Sequence, residues 1–254
     1  MSEPPLRAVV FDVDGTLVDS ERHGHRVAFN RAFEAFGLPW RWDEDVYGEL
    51  LHVTGGQRRI DGYLAGRGVP EGERAELVPA LHARKTAILT AMVEEGAIDL
   101  RPGVARLLGE LGAAGCALAV GTTGSRGWVD RLLTRLLPDT SWDVVVTGDE
   151  VTNRKPDPQV FEVVLDRLGR AGPAEAVVVE DSAEGLAAAR RAGLACAVVV
   201  NRYTVGHDLD GADLVLDGFG EPGSPAEVLA DPHATGCSGI LDAAVLRMLL
   251  RCQA

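Results

Sequence analysis

Lysine is almost missing from this 254-residue chain: of its 25 basic residues only Lys85 and Lys155 are lysine, and the others are arginine. Arginine cannot replace a compact ammonium in a tight anion pocket, so each retained lysine marks a candidate site. Basic charge is scarce overall, 25 residues against 38 acidic ones, for a net charge of −13. Neutralising a phosphate backbone takes a basic face, so a nucleic-acid partner is not expected. Cysteine is sparse too. Cys116, Cys196, Cys237 and Cys252 are widely spaced without a Cys-x-x-Cys pair, which fits a reduced cytosolic compartment, and the first two sit in apolar stretches as core residues. No apolar run approaches the ~18 residues that span a bilayer. Met1-Ser2-Glu3-Pro4-Pro5 lacks the basic start and apolar stretch of a secretory signal. A cytoplasmic, monomeric globular protein without a membrane partner is expected.

What is present is an alternation of short apolar runs and helical stripes. Ala8–Phe11, Leu118–Val120, Val144–Val146, Ala176–Val179 and Ala197–Val200 are unbroken apolar runs that end abruptly in polar residues, the pattern of buried parallel strands. Leu214–Leu216 adds a short edge strand. Val104, Leu107, Leu108 and Leu111 form one helical stripe, and Val160, Phe161, Val164, Leu165 and Leu168 another. The fold class is therefore α/β, a doubly wound parallel sheet. Residues 20–98 carry helical spacing and no convincing strand, with a stripe at Ala28, Phe29, Ala32, Phe33 and Phe36 and a second helix from Leu77 to Met92. They read as an all-helical cap inserted after the first strand, which divides the α/β core into 1–19 and 99–220. Residues 221–254 read as a loop and a packing helix.

Ligands bind beyond the carboxyl ends of the strands in open parallel sheets. Those ends carry Asp12 and Asp14, then Thr122 and Thr123, then Glu180 and Asp181, with Lys155 in the loop after another strand. Converging carboxylates raise one another's pKa unless a counter-ion is present. A hard divalent cation, Mg²⁺, resolves the repulsion and keeps room for a phosphate oxygen. One carboxylate is then available to attack phosphorus and a second to protonate the leaving oxygen.

Asp12-Val13-Asp14-Gly15-Thr16, Thr122, Lys155-Pro156 and Glu180-Asp181-Ser182 resemble, in order and spacing, the four motifs of the haloacid dehalogenase superfamily of phosphatases and mutases. The resemblance implies that Asp12 is the nucleophile and a Mg²⁺ ligand, and that Asp14 is the general acid/base whose main-chain carbonyl also binds metal. It makes Asp181 the other carboxylate ligand, with Glu180 ligating or orienting through water. Thr122 would hydrogen-bond the transferring phosphoryl group and Lys155 would pair with it. Gly15 allows the turn between the two aspartates.

In the insert, Thr54-Gly55-Gly56-Gln57-Arg58-Arg59 opens a helix whose N-terminus favours anions, and His82, Arg84 and Lys85 form a second basic group. Glu21, His25 and Arg26 follow the nucleophile strand. These residues suggest a second anion pocket. With Trp40-Arg41-Trp42, Tyr47 and Thr123-x-Ser125-Arg126, they are similar to the CbbY-type phosphatases. That resemblance implies removal of the 1-phosphate of xylulose 1,5-bisphosphate, a Rubisco inhibitor, to leave xylulose 5-phosphate. Gln57 departs from the basic residue common after the glycine pair, and Arg58 stands next to it. A β-phosphoglucomutase-like mutase and a phosphoglycolate-type phosphatase share the core motifs. A receiver-like phospho-acceptor module shares the acidic cluster, but has no place for the insert.

Overall fold

The computed structural model describes residues 5–53, 55–169 and 171–251; Thr54 and Cys252 lie outside them. The chain divides into two compact units, Met1–Asp19 with Asp99–Ala254, and Ser20–Ile98.

The first unit is built on a seven-stranded sheet ordered β3-β2-β1-β4-β5-β6-β7. Its strands are β1 (Ala8–Phe11), β2 (Ala117–Gly121), β3 (Val144–Val146), β4 (Ala176–Glu180), β5 (Ala195–Val199), β6 (Leu214–Leu216) and β7 (Val228–Ala230). The first six are mutually parallel, with Phe11 in register between Val120 and Val179, and β7 runs antiparallel to β6. β1, β2, β4, β5 and β6 are buried along their whole length, which explains their unbroken apolar sequence. Helices from both sides cover the sheet. α7 (Gln159–Leu168) and α8 (Ala183–Arg191) close one face over Val10, Ala119, Val178 and Cys196, while α5 (Val104–Ala113) and α9 (Ala243–Arg251) pack with β2, β4 and β5. α6 (Arg126–Leu136) follows β2. The sheet is thus doubly wound, as the sequence pattern predicts.

One element corrects that reading. Leu214–Leu216 is an inner strand and the edge is β7, in a stretch expected to be loop. β7 is three residues long between Pro225 and Pro232, too short and too proline-flanked to read as a strand.

The second unit contains a π-helical turn (Glu21–His25), α1 (Arg26–Ala35), α2 (Glu44–Leu50), α3 (Gly56–Gly66) and α4 (Glu71–Glu94), and no strand among the described residues. Phe29, Phe33, Trp42, Tyr47, Ile60, Leu64 and Leu81 form its core, with the Trp42 ring edge-on to Phe33 at 4.9 Å. Among the described residues, no helix is long and apolar enough to cross a membrane.

Candidate active site

β1 lies at the point where the strand order reverses, between β2 and β4, so the crevice at its carboxyl end is where a ligand is expected. The backbone pairing continues one residue beyond the strand, with Asp12 N donating to Val179 O (3.0 Å). The chain then turns through Gly15, whose φ is +91° and whose N–H donates to Val18 O (2.7 Å). A Cβ at this position would lie 2.8 Å from Asn201 Nδ2 and closer still to Asp181 Oδ2. Gly15→Ala therefore combines left-handed strain with a clash inside the site. It is expected to destabilise the fold by about 2–4 kcal/mol. It should also shrink the rise in melting temperature expected of the wild type on adding Mg²⁺, measured by differential scanning fluorimetry with and without EDTA.

Lys155, from the loop after β3, joins the cluster. Its Nζ donates to Asp12 Oδ1 (2.6 Å), Glu180 Oε1 (2.7 Å) and Gly121 O (2.9 Å), and sits 4.8 Å from the Phe161 ring centroid. All three charged side chains are buried. Burial raises the Asp12 carboxyl from 3.8 to about 7; Lys155 opposes this and Glu180 adds to it. Burial also pushes Asp181 well above the usual carboxylate range, reinforced by Glu180 and Asp12. Burial would raise Glu180 as well, but Lys155 and the N–H groups of Asp181 and Ser182 hold it low. Burial would depress the Lys155 ammonium, yet Asp12 and Glu180 keep it above the ordinary lysine value.

Asp12, Glu180 and Asp181 each present a carboxylate oxygen within 4.8 Å of the others. Lys155 is the ammonium hydrogen-bonded within the cluster, so negative charge remains in a buried place. Three hard oxygen donors with residual charge fit a divalent cation of the Mg²⁺ kind. The three are not equivalent. Glu180 Oε2 already accepts from Asp181 N (2.8 Å), Ser182 N (3.0 Å) and Ser182 Oγ (3.0 Å), and its Oε1 accepts from Lys155. Its bonds orient Lys155 and the Asp181 loop, which leaves Asp12 and Asp181 as the better placed direct ligands.

Thr122 is buried one residue past β2, its Oγ1 accepting from Gly124 N (3.1 Å). Asp14 accepts from Trp128 Nε1 at 3.0 Å on Oδ1 and 3.2 Å on Oδ2. Thr16 Oγ1 donates to Asp181 Oδ1 (3.2 Å) and Asn201 Nδ2 to Asp181 Oδ2 (2.7 Å). Half-buried Arg101 binds the carbonyls of Gly15 (2.6 Å), Val199 (2.8 Å) and Val200 (2.7 Å), tying the Asp12–Gly15 turn to the end of β5. Trp128, Thr16, Asn201 and Arg101 escape the sequence reading. Asn201 follows a predicted strand and was open to the same strand-end rule. Arg101 and Trp128 carry no local sequence pattern that marks them for the site.

Thr123, Ser125 and Arg126 continue from Thr122. Gly148 packs against the Thr123 carbonyl, and Ser125 precedes the first turn of α6. The Arg126 guanidinium pairs with Glu150 and Asp130 and donates to Val145 O (3.0 Å).

The helical unit gathers some of its predicted residues and leaves others apart. Glu21 accepts from the Tyr47 hydroxyl, which also accepts from Arg59 Nη1 (2.9 Å). Lys85 Nζ lies 3.2 Å from His25 Nδ1 and 4.9 Å from the Phe29 ring centroid. Arg59 and Lys85 are both buried. Burial would raise Glu21, but His25, Arg59, Tyr47 and Lys85 hold it below the usual value. Burial, then Lys85, lowers His82. Gly55, with φ +91°, caps α3, and a Cβ on Gly56 would lie 2.8 Å from the His82 ring. Gln57, Arg58 and Arg84 are exposed. Arg26 reaches Trp42 O (3.5 Å) and Glu44 (3.8 Å) rather than the Lys85 group.

Comparison with known proteins gives a consistent result. The haloacid dehalogenase-like hydrolase family matches residues 6–193. The chain is 41% identical over 225 residues to the protein CbbY of Cereibacter sphaeroides, covering 87% of this chain and 96% of that one. The crystal structure of CbbY from Rhodobacter sphaeroides in complex with phosphate superposes with a TM-score of 0.73 at 41% identity, covering 84% of this chain and 94% of the other. A structure of a mutant of that protein in complex with xylulose 1,5-bisphosphate superposes with a TM-score of 0.72 at 40% identity and the same coverage.

Proposed function

Because this chain belongs to the haloacid dehalogenase-like hydrolases and is a phosphoric monoester hydrolase, we propose that its substrate is a small sugar bisphosphate. In this proposal it removes the 1-phosphate of xylulose 1,5-bisphosphate to leave xylulose 5-phosphate. One observation carries the choice of a bisphosphate over a monophosphate. The helical unit gathers two buried cations, Lys85 and Arg59, in one network with Glu21, Tyr47 and His25. Two buried cations in one network suit an anionic group such as a second phosphate. The bisphosphate bound by the CbbY relative supports the same substrate.

In the proposed chemistry an Asp12 carboxylate oxygen attacks phosphorus and the bond to the sugar oxygen breaks. Asp14 gives its proton to that oxygen, so the sugar leaves as an alcohol. Asp14, now a carboxylate, takes a proton from water as the water oxygen attacks the aspartyl-phosphate, releasing phosphate and restoring Asp12. Lys155 neutralises charge on the transferring group, and the Thr122 hydroxyl hydrogen-bonds it. Asp12, Asp181 and the main-chain carbonyl of Asp14 would hold Mg²⁺, which when bound would supply positive charge that favours the ionised carboxylates and offsets the charge of a phosphoryl group.

The test is phosphate release from xylulose 1,5-bisphosphate, with glucose phosphates and phosphoglycolate as competitors and EDTA as the metal-free control. Stoichiometric phosphate is expected from the bisphosphate in Mg²⁺ buffer. A mutase would instead hold the phosphoryl group and release little. Lys85→Ala removes one charge-assisted contact and is expected to lower kcat/KM for the bisphosphate about 10–100-fold. Monophosphates should be affected far less.

A further inference from the structure

The bond between Trp128 and Asp14 goes further than an isolated contact. Given the acid/base role proposed for Asp14, on which this inference rests, we infer that Trp128 is the positioning residue for that carboxyl and thereby controls protonation of the leaving group.

The indole Nε1 meets both Asp14 oxygens at nearly equal distance, 3.0 and 3.2 Å. It occupies the edge between them and holds that edge towards α6. An indole nitrogen donates and cannot accept. The proton that Asp14 carries as an acid therefore does not sit on the edge facing Trp128 and is held on the outer lone pairs of the carboxyl. The indole N–H thus sets which edge of the carboxyl is engaged and leaves its outer sides to deliver the proton. Gly124 allows the approach, since a Cβ there would lie 3.2 Å from Asp14 Oδ2 and 3.4 Å from Trp128 Cδ1.

The turn that carries the indole is held by bonds that touch none of the reacting groups. Trp128 lies in the first turn of α6, and its neighbour Arg126 fastens that turn to the end of β3. Arg126 N donates to Asp149 Oδ2 (2.7 Å), its guanidinium donates to Val145 O (3.0 Å), and it pairs with Glu150. Glu150 is in turn held by Thr147 Oγ1 (3.0 Å) and Arg167 (2.7 Å). The brace explains why a half-buried tryptophan can serve as a fixed reference for a catalytic carboxyl. Misplacing an acid by a fraction of a bond length costs rate only where a proton must be delivered.

That dependence supplies the experiment. A sugar alkoxide leaves only with a proton, whereas 4-nitrophenolate leaves as an anion. Trp128→Phe keeps the ring and deletes the N–H. First-turnover release of sugar from xylulose 1,5-bisphosphate and of 4-nitrophenol from 4-nitrophenyl phosphate are measured by rapid quench in wild type, Trp128→Phe, Asp14→Asn and the double variant. The ratio of the aryl to the sugar rate is expected to rise about tenfold or more in Trp128→Phe. The tryptophan change should add little once Asp14 is asparagine, because both act through one carboxyl. A loss of folding or of phosphate binding would lower both rates together and leave the ratio unchanged; an unchanged ratio overturns the inference. So does a full additional effect of Trp128→Phe in the Asp14→Asn background. A wild type that releases neither product overturns the proposed function itself, and an active wild type with an unchanged ratio overturns only the role of Trp128.

Discussion

Asp12→Asn is expected to lower phosphate release on the order of 10⁴-fold or more while the protein still folds, since an amide of the same shape is a poor nucleophile. Phosphate release in Mg²⁺ buffer measures the first part, and circular dichroism the second. The same substitution carries a second signature in the metal-free protein. The Asp12 carboxyl sits at about 7 in the folded chain against an ordinary 3.8. Between those values the folded state holds a proton that the unfolded state has lost. Its contribution to stability is therefore most favourable below about pH 4 and is lost as pH rises towards 7. Asp181, raised partly by Asp12, follows the same sign. Thermal unfolding in EDTA across this window should fall with pH in the wild type and fall less steeply in Asp12→Asn. A variant as pH-sensitive as the wild type would contradict the charge balance described for this cluster.

Lys155→Met should do more structural damage than any other single change at the strand ends. It deletes the ammonium that contacts both Asp12 and Glu180 and leaves three buried carboxylates facing one another. Removing one partner of a buried ion pair costs about 3–5 kcal/mol, which for a chain of this size corresponds to a melting-temperature loss on the order of 10 °C. The loss is expected to be smaller at pH 5 than at pH 8. Without the ammonium the folded carboxyls retain protons over a wider range, so stability falls more steeply as pH rises. Turnover should fall about 10²–10³-fold through lost stabilisation of the transferring charge. Lys155→Arg is not expected to restore it, because a planar guanidinium does not fit a pocket in which one nitrogen meets two carboxylates and a carbonyl. Melting curves at the two pH values and kcat in saturating Mg²⁺ check both claims.

The parts of this molecule that are legible from the sequence are those written in local patterns. A strand buried on both faces must be apolar throughout, so β1, β2 and β4 announce themselves, and the polar residue that ends each run marks the ligand-binding rim. Asp12, Thr122, Glu180 and Asp181 fall out of that rule, and the scarcity of lysine singles out Lys155. The residues that hold this group in place do not obey any local pattern. Arg101 acts on backbone carbonyls 86 to 99 residues away in the chain, and Trp128 acts on a side chain 114 residues away. Such contacts exist only once the sheet order has brought the segments together. β7 was missed for the opposite reason: it is so short that its proline flanks outweigh its three residues. In the helical unit, Arg58 and Arg59 are indistinguishable by composition, yet only Arg59 turns inward to Tyr47, a difference set by one step of helical phase.

The turn after β1 and the return at Leu100–Arg101 are stitched together within a few residues, by the Val18–Leu100 bridge, the Arg101 N–H on Leu17 O and the guanidinium on Gly15 O. The helical segment thus leaves and re-enters the sheet through a single closed gate. A change in length between the gateposts leaves the Asp12–Gly15 turn under the same restraint. Under the proposed function, the reacting carboxylates and the helical segment are thereby free to vary independently.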